Sequence, residues 1–206
     1  MIARPHKIED RTLPVQDQMT VDEFLAFTET RPDEEFWELI EGVPVMQASP
    51  TKPHQIIANN IGGLLWSWKR SNRASWVPLQ GVGTIVPASP NSLPQPDVIV
   101  LQRPLSGDDF SNFTDDALVL FEVILRSNTP KDQAWRRRVY ASIPNCQHYV
   151  TVNQRRIEVV CYDRMSGWEA VKLTTAGATL DLPALGAQLS LAEIYADTPL
   201  AKTGKS

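Results

Sequence analysis

Two apolar, β-branched runs stand out along the chain: Pro96-Asp97-Val98-Ile99-Val100 and Leu118-Val119-Leu120-Phe121-Glu122-Val123-Ile124. Each reads as a buried strand. The other periodic segments predict the elements around them. Thr20-Val21-Asp22-Glu23 is a capping box, so a short helix should follow to about residue 30. Residues 36–47 alternate about a Glu41-Gly42 turn and predict a β-hairpin. Pro50 and Pro53 lead into a helix over about 54–70, whose Ile57, Ile61, Leu64, Leu65 and Trp68 keep helical spacing, so one face should pack on a sheet. Strands are expected near 75–79, 84–86 and 97–101, with a proline-rich connection over 87–96.

Residues 102–116 are polar and read as a surface loop, and 117–124 is the most apolar strand. A helix over 131–142 carries Trp135, Val139 and Tyr140, and Pro144 ends it. Strands are predicted over 147–152, 156–162 and 168–173, the first two joined by a tight turn near Asn153-Gln154. Residues 190–195 read as a last short helix, with Ser190 as cap and Glu193 as its box partner. The helix over 131–142 lies between two apolar strands and suggests a crossover. The expected architecture is α/β: a mixed sheet with helices on its faces. Residues 1–18 read as an irregular arm, 19–200 as one domain and 201–206 as a disordered tail, with no internal repeat.

Each of the two leading runs carries one carboxylate, Asp97 and Glu122, 25 residues apart. A carboxylate inside a buried strand is costly unless something pairs it. The economical explanation is that the two meet and share a divalent cation, which points to a metal-dependent site that cuts phosphodiesters. Each has a plainer alternative. Asp97 could cap backbone donors at a strand start, and Glu122 could ion-pair with Arg136 or Arg126.

Bulk composition changes this picture little. The 206 residues suit one domain, and 42% hydrophobic with 21% charged content describes an ordinary globular chain. The net charge of −4 gives no general attraction to nucleic acid, so any such surface must be a local patch. Cys146 and Cys161 lack metal-type spacing and read as buried free thiols. The chain has no apolar signal core and no apolar run of membrane-spanning length, so the expected location is the cytoplasm, with no membrane partner.

The order Pro96-Asp97, then a strand glutamate, then a basic residue resembles the PD-(D/E)XK nuclease superfamily, the restriction-endonuclease-like fold. The resemblance sharpens to one bacterial branch, the Uma-two family of restriction endonucleases. The matching pieces are Trp37-Glu38-Leu39-Ile40-Glu41-Gly42, Ser49-Pro50 with His54, Pro96-Asp97-Val98, Phe121-Glu122-Val123-Ile124, Arg126-Ser127-Asn128-Thr129-Pro130-Lys131-Asp132, and Tyr140. They are ordered correctly over about residues 20–165. The resemblance implies a Mg²⁺-dependent DNA endonuclease, with Mn²⁺ as substitute, Asp97 and Glu122 as metal ligands, and Glu38 as a third acidic site residue. In the superfamily a lysine stands two residues after the glutamate. Here that residue is Ile124. In the family a lysine instead lies on the following helix, four residues after the acid matching Asp132, and here that residue is Arg136.

Arginine cannot act as a base, but it can clamp a phosphate and stabilise charge. Arg126, Lys131 and His54 are candidate nucleic-acid contacts, His54 also reading as a helix cap. Arg137 and Arg138 read as a solvated face, and Glu38 could equally point to solvent. Three functional readings stay open. The first is a Mg²⁺-dependent endonuclease acting on duplex DNA, for which cutting two strands favours a two-fold homodimer. The second is a nuclease-derived binding or interaction module, favoured by Ile124 and Arg136. The third is a metal-dependent hydrolase of a smaller substrate.

Overall fold

A computed structural model describes residues 18–32, 34–102, 111–125 and 128–201. The arm over 1–17, residues 103–110 of the predicted loop, Arg126 and the tail over 202–206 lie outside the described residues. Helix α1 (Val21–Thr28) opens with the capping box read from the sequence: the Thr20 N–H donates to Glu23 Oε2 at 2.8 Å and the Glu23 N–H donates to Thr20 Oγ1 at 3.3 Å. Strands β1 (Trp37–Ile40) and β2 (Val43–Met46) form the expected hairpin. Its turn holds Glu41 at φ 50° and Gly42 at φ 78°. A two-residue loop of the type I′ kind has positive φ at both positions, which glycine adopts freely and glutamate does not.

Helix α2 (Lys52–Asn72) starts two residues before the predicted boundary because Thr51 caps it and Pro53 lies in its first turn. Strands β3 (Val77–Leu79), β4 (Gly83–Thr84), β5 (Val98–Leu101), β6 (Phe113–Thr114) and β7 (Ala117–Ile124) follow, then helix α3 (Pro130–Ala141). The chain continues with β8 (His148–Asn153), β9 (Val159–Asp163), β10 (Glu169–Leu173), β11 (Thr179–Leu182), β12 (Ala187–Ser190) and α4 (Leu191–Ile194).

The main sheet has six strands in the order β10-β9-β8-β7-β5-β3. Only β7 and β8 pair in parallel within it, and α3 makes the crossover between them. This is the predicted mixed sheet. One face carries Val98, Val100, Val119, Phe121, Val123, Val150 and Val152, against α2, the β11–β12 hairpin and α4. The other carries Ile99, Leu120 and Tyr149, against Val139, Tyr140 and Ile143 of α3 and the turn after it. Phe24, Leu39 and Leu93 form a smaller cluster that seats the β1–β2 hairpin.

The structure departs from the sequence reading in further places. Strands β8 and β9 are joined by a loop over 154–158 rather than by a tight turn near Asn153-Gln154. The segment expected as a strand over 84–86 is short and stands outside the main sheet, pairing in parallel with β6, a strand within the predicted loop. The β11–β12 hairpin was not predicted, because its turn is a 3₁₀ segment, Pro183–Leu185, closed by Gly186 at φ 59° rather than a two-residue turn. Ser190 stands at the N-cap position of α4 and ends the β12 ladder opposite Thr179, but makes no side-chain cap bond, so the expected box with Glu193 does not form. Cys146 and Cys161 are buried and free, as expected. Among the described residues no helix is long and apolar enough to cross a membrane.

Candidate active site

Strands β5 and β7 run antiparallel with Val98 opposite Phe121, so the next step outward sets Asp97 opposite Glu122. Residues directly opposite share a face. By alternation that is the face of Leu120 and Ile99, covered by α3. The site lies where β7 ends and β5 begins. Asp97 stands one residue before its strand, and its Oδ2 accepts from the Val123 N–H at 2.6 Å. The capping role considered for Asp97 is therefore real, and it fixes the carboxylate beside Glu122. The other oxygen, Oδ1, meets His54 Nε2 at 3.3 Å. His54 stands in the first turn of α2, with its N–H donating to Thr51 Oγ1. It is buried, so it is both part of the helix start and a partner of Asp97.

Glu122 Oε1 accepts from Arg136 Nη1 at 2.8 Å and from the Tyr140 hydroxyl at 2.7 Å. Arg136 and Tyr140 are one turn apart on α3, so both point back at β7. The other arm of Arg136 donates from Nη2 to Glu38 Oε2 at 2.6 Å. Gln47 Nε2 also donates to that oxygen at 2.8 Å, and the Gln95 N–H donates to Glu38 Oε1 at 2.7 Å. Glu38 is buried rather than turned to solvent, and both its oxygens are engaged. It anchors Arg136. The ion pair considered for Glu122 exists, with Arg136 as partner.

The charges are crowded. The Glu122 carboxyl is raised to about 8: burial lifts it most, Asp97 and Glu38 add to the rise, and Arg136 and the Tyr140 hydrogen bond oppose it. Burial works against the Arg136 charge, but Glu122, Tyr140 and Glu38 outweigh it and hold the guanidinium protonated. Tyr140 is raised well above its ordinary range, first by burial and then by Glu122, so it keeps its proton and donates.

A small hard cation fits these donors. Mg²⁺ commonly takes one or two protein carboxylates and completes its shell with water and substrate phosphate. Asp97 and Glu122 offer that pair on one face. Among the described residues no group of three or more His, Cys, Asp or Glu is arranged to hold a metal ion, so a cage made wholly of protein is not what the site offers. Positive charge there would also offset the burial and the like charges that raise Glu122.

The sequence reading named Asp97, Glu122, Arg136 and Glu38, and the fold brings them together. It left out Tyr140 and Gln47 as site residues. The four-residue spacing from Arg136 marks Tyr140 as sharing its helix face, and the hairpin pairing marks Gln47: its N–H donates to Phe36 O, which puts it two residues along from Glu38 on one face. Lys131 is exposed in the first turn of α3. Arg138 pairs with Glu41 at the hairpin tip and Arg137 lies over the Tyr162 ring, so neither is turned to Asp97 and Glu122.

The chain matches the model of the Uma2 family, described as "Putative restriction endonuclease", over residues 21–193. The chain belongs to the Uma2 family. The matched stretch of this Uma2 chain contains Glu38, His54, Asp97, Glu122, Arg136 and Tyr140. Among solved structures, a protein from Anabaena variabilis ATCC 29413 described as a "putative nuclease belonging to DUF820" is similar, with a TM-score of 0.70 and 16% identity, over 86% of this chain and 97% of that one. At that identity the likeness establishes the fold. No curated protein matches the chain.

Proposed function

We propose that this Uma2 protein is a divalent-metal-dependent DNA endonuclease, with Mg²⁺ as its ion and Mn²⁺ able to replace it. The observation that carries the reading is the pairing of Asp97 and Glu122 across β5 and β7, on one face, under Arg136. Asp97 and Glu122 would hold the ion. Bound there, it would lower the pKa of a water and neutralise charge on the scissile phosphate. Arg136 supplies a fixed positive charge for the developing phosphate charge, since it cannot give up its proton. Glu38, held by Gln47 and the Gln95 N–H, orients Arg136. His54 steadies Asp97, and Tyr140 steadies Glu122. Lys131, with Arg126, is assigned to the phosphate backbone. The reading includes a cytoplasmic enzyme of one domain over 19–200, acting on duplex DNA as a homodimer.

Plasmid nicking tests it. The wild type should nick in Mg²⁺ or Mn²⁺ and stop in excess EDTA, and Asp97→Ala and Glu122→Ala should each abolish nicking. Activity that survives both substitutions, or EDTA, would sink the assignment. A second reading, a nuclease fold that has lost catalysis and binds nucleic acid, is favoured by Arg136 holding Glu122 and Glu38 together and by Ile124 in the lysine position. An inert wild type that gains activity as Arg136→Lys would establish that reading.

A further inference from the structure

We propose that Lys52 and Arg155 form a phosphate-binding rim for duplex DNA at the C-terminal end of β7, beside the carboxylate pair; this rests on the nuclease reading. Three segments converge there, just beyond Glu122. Gln154 Nε2 donates to the Ile124 carbonyl at 3.0 Å, and its Oε1 accepts from the Thr51 hydroxyl. One side chain thus ties the start of α2 and the β8–β9 loop to the end of β7. Lys52 follows Thr51 and Arg155 follows Gln154, and both are exposed. The Arg155 N–H donates to Asn153 Oδ1 at 2.9 Å, which sets the loop at that point. Two residues past Lys52, His54 reaches Asp97. Both cations are therefore carried on backbone anchored to the site.

Three other cations are committed to carboxylates elsewhere. Arg156 and Lys172 converge on Glu158, and Arg138 pairs with Glu41. With a net charge of −4, attraction to a polyanion must come from local positive charge at the site's mouth. The occupant is a duplex rather than a single strand because single-strand binders stack bases on exposed aromatic rings. The exposed large apolar side chains among the described residues are Phe36, Met46, Met165 and Val171, and none lies on these three segments. Lysine and arginine on phosphates position a duplex without reading its sequence.

The test is anisotropy of a labelled duplex with the full chain in EDTA, titrated across salt concentrations. Each phosphate contact adds about 0.9 to the slope of log K against log salt. The Lys52→Ala/Arg155→Ala double variant should bind more weakly, with a slope shallower by about 2. Exchanging the two residues as Lys52→Arg/Arg155→Lys should restore both affinity and slope, and Arg156→Ala should leave them unchanged. A wild type that binds the duplex and a double variant with the same slope would overturn the rim while leaving the nuclease reading standing. Tighter binding of single-stranded DNA or duplex RNA would overturn the choice of partner. A wild type that neither binds nor nicks DNA would overturn both proposals.

Discussion

At the residue scale, the site is a set of buried charges that need one another. Arg136 bridges Glu122 and Glu38, and removing one partner of a buried pair costs about 3–5 kcal/mol. Arg136→Ala should therefore lower the melting temperature and also reduce cleavage by about 100–1,000-fold, the loss typical of one charge-stabilising group. Arg136→Lys should keep or raise cleavage. An Arg136→Ala protein that cuts like wild type would reduce the residue to a structural tie. Glu122 gives a pH dependence. Its folded-state pKa is raised from 4.5 to about 8, so between those values the folded protein holds a proton that the unfolded chain has lost. Stability of the metal-free protein should therefore fall as pH rises through that window, and Glu122→Gln should flatten the fall. Urea unfolding at pH 5 and pH 8 reads this directly. Cation affinity should move the other way, tightening as pH rises toward 8, because the ion competes with that proton.

The identities of Asp97 and Glu122 were legible because a carboxylate inside a β-branched run is conspicuous. The interior position of Glu38 was not, since a four-residue strand shows alternation without showing what covers each face. Its covering comes from Gln47 on the same hairpin and from Gln95 and α3, two segments distant in sequence.

At the element scale, the β1–β2 hairpin is the part that must be aimed. Its tip is latched to α3 by Trp135 Nε1 donating to Glu41 Oε1 at 2.9 Å, and to the following chain by the Glu41 N–H donating to Ser92 Oγ at 2.8 Å. Gly42 sits at φ 78°, and a Cβ there would come within 2.4 Å of Gln18 Cβ. Gly42→Ala should therefore destabilise the protein by more than about 1 kcal/mol, since alanine at positive φ is strained and the neighbouring chain must move. A melting temperature unchanged by that substitution would mean that the turn tolerates another geometry. Capping boxes and the Glu41-Gly42 turn were readable because their chemistry is local. The α3 box that the sequence reading passed over, Thr129 with Asp132, follows the same rule with aspartate in place of glutamate. The β11–β12 hairpin was not readable, because its pairing is held by packing against α2 and α4 rather than by a turn signature.

At the scale of the whole molecule, the fold explains why the site lies where it does. A parallel β7–β8 pair needs a crossover, α3 supplies it, and the same helix carries Arg136 and Tyr140 back over the end of β7. The pairing of β5 with β7 then adds Asp97, and the N-terminal turn of α2 adds His54. The crossover could be anticipated from an apolar strand, a helix and another apolar strand in succession. The strand order could not, because β3 and β5 join the sheet through long-range pairing that local pattern does not encode.

The central claim is that Asp97 and Glu122 together hold a divalent cation. A crystal of the wild-type protein soaked in Mn²⁺, with anomalous scattering recorded, tests it most directly. The account predicts a peak in contact with carboxylate oxygens of both residues, absent from an Asp97→Ala crystal soaked in the same way. No peak at the pair, or a peak held elsewhere that survives Asp97→Ala, would contradict it.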